Sequence, residues 1–333
     1  MRGAVRASLG ELGGGSRVIV ACSGGPDSLA LAGAAAWVAE RLGMEASAVV
    51  VDHGLQPGSA TVAQDAAAAC QALGLMHAEV IAVSVGQAGG PEAAAREARY
   101  AVLEAAAARA QASAVLLGHT LDDQAETVLL RMARGSGTRS LAAMAEVNGL
   151  WRRPLLGLRR SAVHQAAQDL LAPLGLTPWQ DPHNTDPAYA RSRVRHALAV
   201  LSDDLGTGFA TGLARTADLA RADADALDAL AGEAFAATVT CDAVSCTADA
   251  AELASMHRAL RWRILRAMAL RLGAPGDDID SDQVLRVDSL VTGWHGQGAI
   301  HLATGIIAER LYGRLSLHRG SGRHDSRSAD LRE

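Results

Sequence analysis

The sequence contains no lysine: all 31 basic residues of the 333 are arginine. A Walker-type phosphate loop needs its lysine, and Schiff-base chemistry needs a lysine amine, so both are excluded. Aromatics make up only 3% of the chain, but the 49% of hydrophobic residues is ample for a core. The four cysteines, Cys22, Cys70, Cys241 and Cys246, form no C-x-x-C and have no histidines at zinc spacing. That excludes a zinc framework, and all four read as reduced thiols of a cytosolic protein. No signal peptide and no 18-residue apolar run is present, so the expectation is a cytoplasmic protein with no membrane partner. The net charge of −5 excludes a uniformly basic nucleic-acid coat. Residues 131–200 nevertheless carry ten arginines against four acids, a net +6, which keeps a local polyanion patch open. There are no internal repeats.

What is there alternates. Short apolar runs at 17–21, 46–51, 77–83 and 114–117 read as strands, and helical patterns fill 27–42, 59–73, 91–110 and 120–133. Such alternation predicts an α/β protein with a doubly wound parallel sheet covered by helices. The expected organisation is a nucleotide-binding catalytic domain over 1–202 and a helical linker over 203–240. A small α+β C-terminal domain over 241–319 and a disordered, charged, Ser-rich tail over 320–333 follow. In the C-terminal part a helix is expected over 257–272 and strands over 298–301 and 311–318.

Three polar signatures fall where strands end, which is where such sheets bind ligands. The first is Ser23-Gly24-Gly25-Pro26-Asp27-Ser28. Two glycines allow a sharp turn, Pro26 suits a first helical turn, and the bare N–H groups of the helix start form an anion site. Asp27 beside a phosphate makes sense if a divalent cation bridges the two. The second is Asp52-His53-Gly54. The third is Gly118-His119-Thr120-Leu-Asp-Asp-Gln-Ala-Glu126, a helix start with a buried stripe of Leu121, Ala125, Val128 and Met132. Asp122, Asp123 and Glu126 exceed what helix capping requires and read as a socket for a cation, either a metal or a substrate ammonium. His53 and His119 share this pocket and can contact a nucleotide or move a proton. Cys22 reads as a small buried residue.

Arg96 and Arg99, three apart, either point at phosphates or share a solvated face with Glu92 and Glu97; the residues alone leave this open. Arg191-Ser-Arg193-Val-Arg195 alternates, and in an extended segment its arginines face one side; a surface strand or a frayed helix is the plainer alternative. Together with Arg131, Arg134, Arg152 and Arg153 they suggest a patch for an RNA backbone.

These motifs resemble a known family. Ser23 to Ser28 is similar to the PP-loop, S-G-G-x-D-S, of the N-type ATP pyrophosphatases, which cleave ATP between its α and β phosphates. Asp52-His-Gly-Leu55, Arg96-x-x-Arg99-Tyr100, Gly118 to Thr127, Arg134-Gly-Ser-Gly137, Arg153-Pro-Leu-Leu156, Asp181-Pro-His-Asn184 and Arg191 to Arg195 together resemble the tRNA(Ile)-lysidine synthetases. The likeness runs from about residue 17 to 200, and His295 to Leu317 resembles that family's first C-terminal domain. The expectation from the length is a chain too short for the second C-terminal domain of longer members. Two positions depart from the pattern: Gln56 stands where Arg is expected and Ser192 where Asn is common.

The resemblance implies that ATP binds Ser23, Gly24, Gly25, Pro26, Asp27 and Ser28 with Asp52, His53 and Gly118, and that Asp27 holds Mg²⁺. It implies that the wobble cytidine of isoleucine tRNA with a CAU anticodon is adenylated at its C2 oxygen. The ε-amine of free L-lysine, bound by Asp123 and Glu126, then displaces AMP. Asp27, Arg99, His119 and Asp123 carry the chemistry, and Arg134, Arg153, Arg191, Arg193 and Arg195 contact the tRNA. Two rivals compete. A PP-loop tRNA thiolase would need paired cysteines or a cluster, and a non-catalytic nucleotide- or tRNA-binding module would bind ATP without releasing pyrophosphate. The sequence leaves open the base that deprotonates lysine, the discrimination against methionine tRNA, and the oligomeric state, a homodimer included.

Overall fold

The computed structural model describes residues 1–320 except 55, 57, 84–90, 136, 182–185, 187, 303 and 304, with only the backbone of 91–93 and 277. The expected disordered tail lies outside the described residues from 321 on, as do Leu55, Ser136, Pro182 to Asn184 and the Glu92 side chain.

The alternating runs form the elements their periodicity implies. In order these are α1 (Arg2–Leu9), β1 (Arg17–Cys22), α2 (Pro26–Leu42), β2 (Glu45–Asp52), α3 (Ser59–Ala72) and β3 (His77–Ala82). Next come α4 (Pro91–Ala110), β4 (Ala114–Leu116), α5 (Leu121–Ala133) and α6 (Thr138–Leu141). β5 (Val147–Asn148), β6 (Trp151–Arg152), α7 (Arg160–Leu171) and α8 (Ala190–Leu205) follow. Among the described residues the sheet has the order β3-β2-β1-β4-β6-β5. Every neighbouring pair is parallel except the edge pair β5–β6. Strand β1 shows why both faces are covered. Val18, Val20 and Cys22 pack with residues of α2, α3 and α7, whereas Ile19 packs with Leu103, Ala106 and Ala107 of α4. Alanine dominates these helices, and its short side chain lets them lie close against the sheet. The strand order reverses between β1 and β4, so the ligand crevice is expected beyond their carboxyl ends.

The chain divides into two compact units, Met1–Arg221 and Ala222–Glu333. Helix α9 (Phe209–Thr238) runs through the boundary. In the second unit β7 (Val239–Cys241), β8 (Ser245–Asp249), β9 (Ile300–His301), β10 (Ile306–Leu311) and β11 (Arg314–Arg319) form an antiparallel sheet. Its order is β7-β8-β11-β10-β9. Helices α10 (Ala250–Ser255), α11 (Arg258–Arg271) and α12 (Ser281–Thr292) supply the rest of that unit's core. An α/β unit is thus followed by a smaller α+β one, as the alternation and composition implied.

Four local expectations are corrected. Cys241 and Cys246 are not thiols but a disulfide; they face each other across the β7–β8 pair with Cα atoms 4.1 Å apart. Cys22 and Cys70 remain free and buried. Arg191 to Arg195 is not extended but lies in α8, where 100° per residue sends Arg193 away from Arg191 and Arg195. Met132 is 53% exposed, so the buried stripe of α5 ends with Val128. The single strand expected over 311–318 is a hairpin, because the chain turns at Tyr312 and Gly313.

Candidate active site

The loop between β1 and α2 is drawn round one hydroxyl. Ser28 Oγ accepts from Ser23 N at 3.2 Å, donates to Gly25 O at 3.0 Å, and lies 3.3 Å from Ser23 Oγ. Gly24 has φ +78°, and a Cβ there would meet the Cβ of Ala66 at 3.1 Å, so a side chain is excluded twice over. Gly24 O accepts from Trp179 N at 2.9 Å. Gly25 caps α2 in extended backbone with no side-chain acceptor, leaving the first N–H groups of the helix for an anion. The β4–α5 loop lies against this start: a Cβ on Gly118 would stand 3.3 Å from Asp27 and Ser28 backbone atoms. Glycine is what lets the second motif reach the first.

Four buried polar atoms here have no hydrogen-bond partner among the described residues: Asp27 Oδ1, His53 Nδ1, Arg99 Nε and His119 Nδ1. Such atoms are rare in folded proteins and call for a ligand or water. His164 Nε2 stands 3.2 Å from Asp27 Oδ1, an ion-pair distance without hydrogen-bond alignment. Burial pushes the Asp27 carboxyl above its ordinary range, with His164 opposing and Asp123 reinforcing the shift. Burial likewise pushes His53 down, helped by Arg99 and opposed by Asp52. His119 is pushed down to about 3 by burial, with Asp123 opposing and Arg153, Arg99 and Arg96 assisting, so its imidazole is neutral near pH 7. Arg99 is itself depressed by burial, with Arg96 and Arg191 adding to it. The arginines therefore gather at the site against their own repulsion, which is the field an oligophosphate requires. Asp52 turns its carboxylate back to Gly54 N at 3.0 Å.

The acidic helix start is also brought to this edge. Thr120 and Asp123 form a capping box: Asp123 Oδ2 accepts from Thr120 N and Oγ1 at 2.7 Å each. Cations do meet these acids, but in this structure they are the chain's own. Arg160 donates to Asp123 Oδ1 at 2.8 Å and to Glu126 Oε1 at 2.9 Å. Arg195 donates to Glu126 Oε1 at 2.9 Å. Arg159 and the Arg160 N–H hold Asp122. Burial disfavours the Asp123 carboxylate, but Arg160 and Thr120 outweigh it and hold its pKa below the ordinary value.

Of the arginines expected on a polyanion surface, Arg134, Arg191 and Arg193 are exposed. Arg195 sits on Glu126, and Arg153 is 6% exposed with Nη1 on Ala145 O at 2.8 Å. Gln56, at the first departure from the family pattern, donates to Asp181 Oδ1 at 3.1 Å. The sequence reading missed Arg159, at the N-cap of α7, and Arg160 and His164 within that helix. The one available signal was the spacing of Arg160 and His164, four apart on one helix face. Their contacts lie 34 to 137 residues away in the chain.

A family model described as the PP-loop domain matches residues 5–201, and one described as the TilS substrate binding domain matches 249–316. The chain is 56% identical over 303 residues to the tRNA(Ile)-lysidine synthase of Thermobifida fusca, covering 91% of each. It is 52% identical to that of Streptomyces coelicolor, over 91% of this chain and 85% of the relative. To that of Mycobacterium tuberculosis it is 47% identical, over 88% and 86%. The fold also resembles the solved U34-tRNA thiolase NcsA of Methanococcus maripaludis, with a TM-score of 0.53. That likeness has 19% identity and covers 65% of this chain and 77% of the other. The orphaned polar atoms, the phosphate loop and these relatives agree, and the chain belongs to the tRNA(Ile)-lysidine synthase family.

Proposed function

We propose that this protein uses ATP to adenylate the wobble cytidine of isoleucine tRNA bearing a CAU anticodon and then joins free L-lysine to C2 of that base. The observation that supports the reading is the set of buried atoms of Asp27, His53, Arg99 and His119 left without partners, in the segments that carry the three polar signatures and the Arg96–Arg99 pair. The N–H groups at the start of α2 receive the ATP phosphates, with the Ser23 and Ser28 hydroxyls beside them. Arg99 balances their charge, with Arg96 beside it. The cytidine O2 attacks the α-phosphorus, and pyrophosphate leaves. The ε-amine of lysine then attacks C2, expelling AMP. Asp123, held ionised, and Glu126 hold the ammonium, which shares them with Arg160 and Arg195. The amine has to lose a proton before it attacks, its free pKa being about 10.4. A neutral imidazole pushed as low as His119 and a carboxylate held as low as Asp123 are both weak bases; the part of His119 is to hydrogen-bond the reacting groups.

The site suits Mg²⁺. One carboxylate with an orphaned oxygen beside a phosphate cradle matches an ion that takes most of its ligands from phosphates and water. No cluster of three or more His, Cys, Asp or Glu able to hold a metal exists among the described residues. Asp27 would hold the ion, which supplies charge neutralisation on the phosphates.

The thiolase reading is not favoured. Cys22 and Cys70 are buried in the core and the other two cysteines are joined, which leaves no exposed thiol pair to carry sulfur. No helix among the described residues is long and apolar enough to cross a membrane, and a cytoplasmic location accords with a tRNA substrate. The test is pyrophosphate release from ATP with this tRNA, with and without lysine, followed by mass analysis of the tRNA. A lysine-dependent mass gain at the wobble cytidine supports the reading. Pyrophosphate release without lysine incorporation overturns it.

A further inference from the structure

The β10–β11 hairpin turns through Tyr312 and Gly313, whose φ angles are 50° and 79°. Two positive values in succession belong to the tight turn whose hand matches strand twist, and that turn is suited by Asn or Asp before Gly. A tyrosine there strains against its own Cβ. Nothing in the unit offsets the strain by packing, because Tyr312 is 103% exposed. Strain kept without a structural return points to a use outside the unit.

The surroundings indicate which use. The tip, residues 310–314, has two arginines and no acid. Arg310 is anchored by the carbonyls of Leu290 and Val291 at 3.0 and 3.1 Å, with its guanidinium 5.6 Å from the Trp294 ring. Arg314 donates to Thr247 Oγ1 at 3.1 Å. The register opposes Arg314 to Leu311 and Arg310 to Leu315, so the two cations leave opposite faces of the hairpin beside its turn, and a bare ring projects beyond them. A projecting ring with the exposed Leu311 at its side and the exposed cation Arg314 next but one in the chain is an arrangement that takes an unstacked base on the ring and a phosphate on the guanidinium.

We propose that Tyr312 is a stacking contact for an unpaired base of the tRNA substrate, with the exposed Arg314 facing an adjoining phosphate. This rests on the tRNA-substrate reading above, and the substrate-binding match over 249–316 includes the tip. The contact adds affinity without taking part in the chemistry.

The test compares full-length wild type with Tyr312→Asn and Tyr312→Phe, measuring affinity for unmodified isoleucine tRNA by filter binding, the KM for tRNA, and the thermal midpoint. Asn fits the left-handed turn, so Tyr312→Asn should melt no lower than wild type. It should bind tRNA about tenfold more weakly and raise KM to match. Tyr312→Phe, which keeps the ring, should stay within about twofold of wild type. If Tyr312→Asn binds as wild type does, the tip serves another class of partner and this inference alone is overturned. If Tyr312→Phe is as weak as Tyr312→Asn, the hydroxyl and not the ring is the contact, and stacking is overturned. A wild type that binds no tRNA overturns the functional reading and this inference together.

Discussion

His164 places Nε2 3.2 Å from Oδ1 of Asp27, so helix α7, which carries no part of the phosphate motif, reaches the residue proposed to hold Mg²⁺. Replacing the carboxylate should remove the metal contact outright, whereas replacing the imidazole only loosens it. Asp27→Ala is expected to abolish pyrophosphate release. His164→Ala is expected to lower it by about 10–100-fold, the usual effect of losing a partner behind a metal ligand. A His164→Ala rate equal to wild type would refute the positioning role.

Arg160 is the shared partner of two acids in the site, and its side chain is 18% exposed against 4% for Glu126. Removing one member of such a group leaves its partners desolvated and uncompensated, at about 3–5 kcal/mol for a fully buried pair. Because Arg195 still reaches Glu126, Arg160→Ala should lose about 2–3 kcal/mol of unfolding free energy. Arg160→Lys keeps the charge but not the two-pronged fork, and should lie between. Urea denaturation at neutral pH measures both, and an unchanged midpoint for Arg160→Ala would contradict the bridging geometry.

His119 sets a pH dependence. Its folded pKa of about 3 lies below the value of about 6.5 for an unfolded imidazole. The unfolded chain therefore takes up a proton that the folded chain refuses, and stability is lost as pH falls below about 6.5, continuing toward 3. By pH 5 this one group costs about 2 kcal/mol. His53, shifted in the same direction, adds to the loss. Urea midpoints of wild type and His119→Gln at pH 7.5 and pH 5 should diverge less for the variant. Equal acid sensitivity in the two chains would show that the imidazole is not held neutral.

The Cys241–Cys246 cross-link closes a short loop at the edge of the second sheet. Restricting so short a loop in the unfolded chain contributes about 2 kcal/mol in the chain-entropy model. Reduction, or the double Cys241→Ser, Cys246→Ser variant, should lower the unfolding free energy of the second unit by that amount. A non-reducing peptide map in which all four cysteines alkylate as free thiols would remove the cross-link.

The fold class and the turns at the carboxyl ends of β1 and β4 were legible because both depend on local chemistry. Apolar periodicity sets strand and helix, Gly24 and Gly25 set the sharp turn, and Gly118 sets the close approach. The acids at the start of α5 were legible for the same reason, since a helix start concentrates them within five residues. What fills the spaces between elements was not legible. The acids looked like an open socket, yet α7 and α8 bring Arg159, Arg160 and Arg195 onto them from 34 to 69 residues away. The alternation of Arg191 to Arg195 fits a strand, but packing against α5 makes it helical and divides its arginines between faces. Cys241 and Cys246 became a pair only once the β7–β8 register placed them opposite one another. By itself the sequence determined which backbone segments form and where a helix starts with bare N–H groups, since those follow from neighbours along the chain. The tertiary structure alone decided which charges neutralise which, because Coulomb and hydrogen-bond partners are set by distance in space and not by distance along the chain.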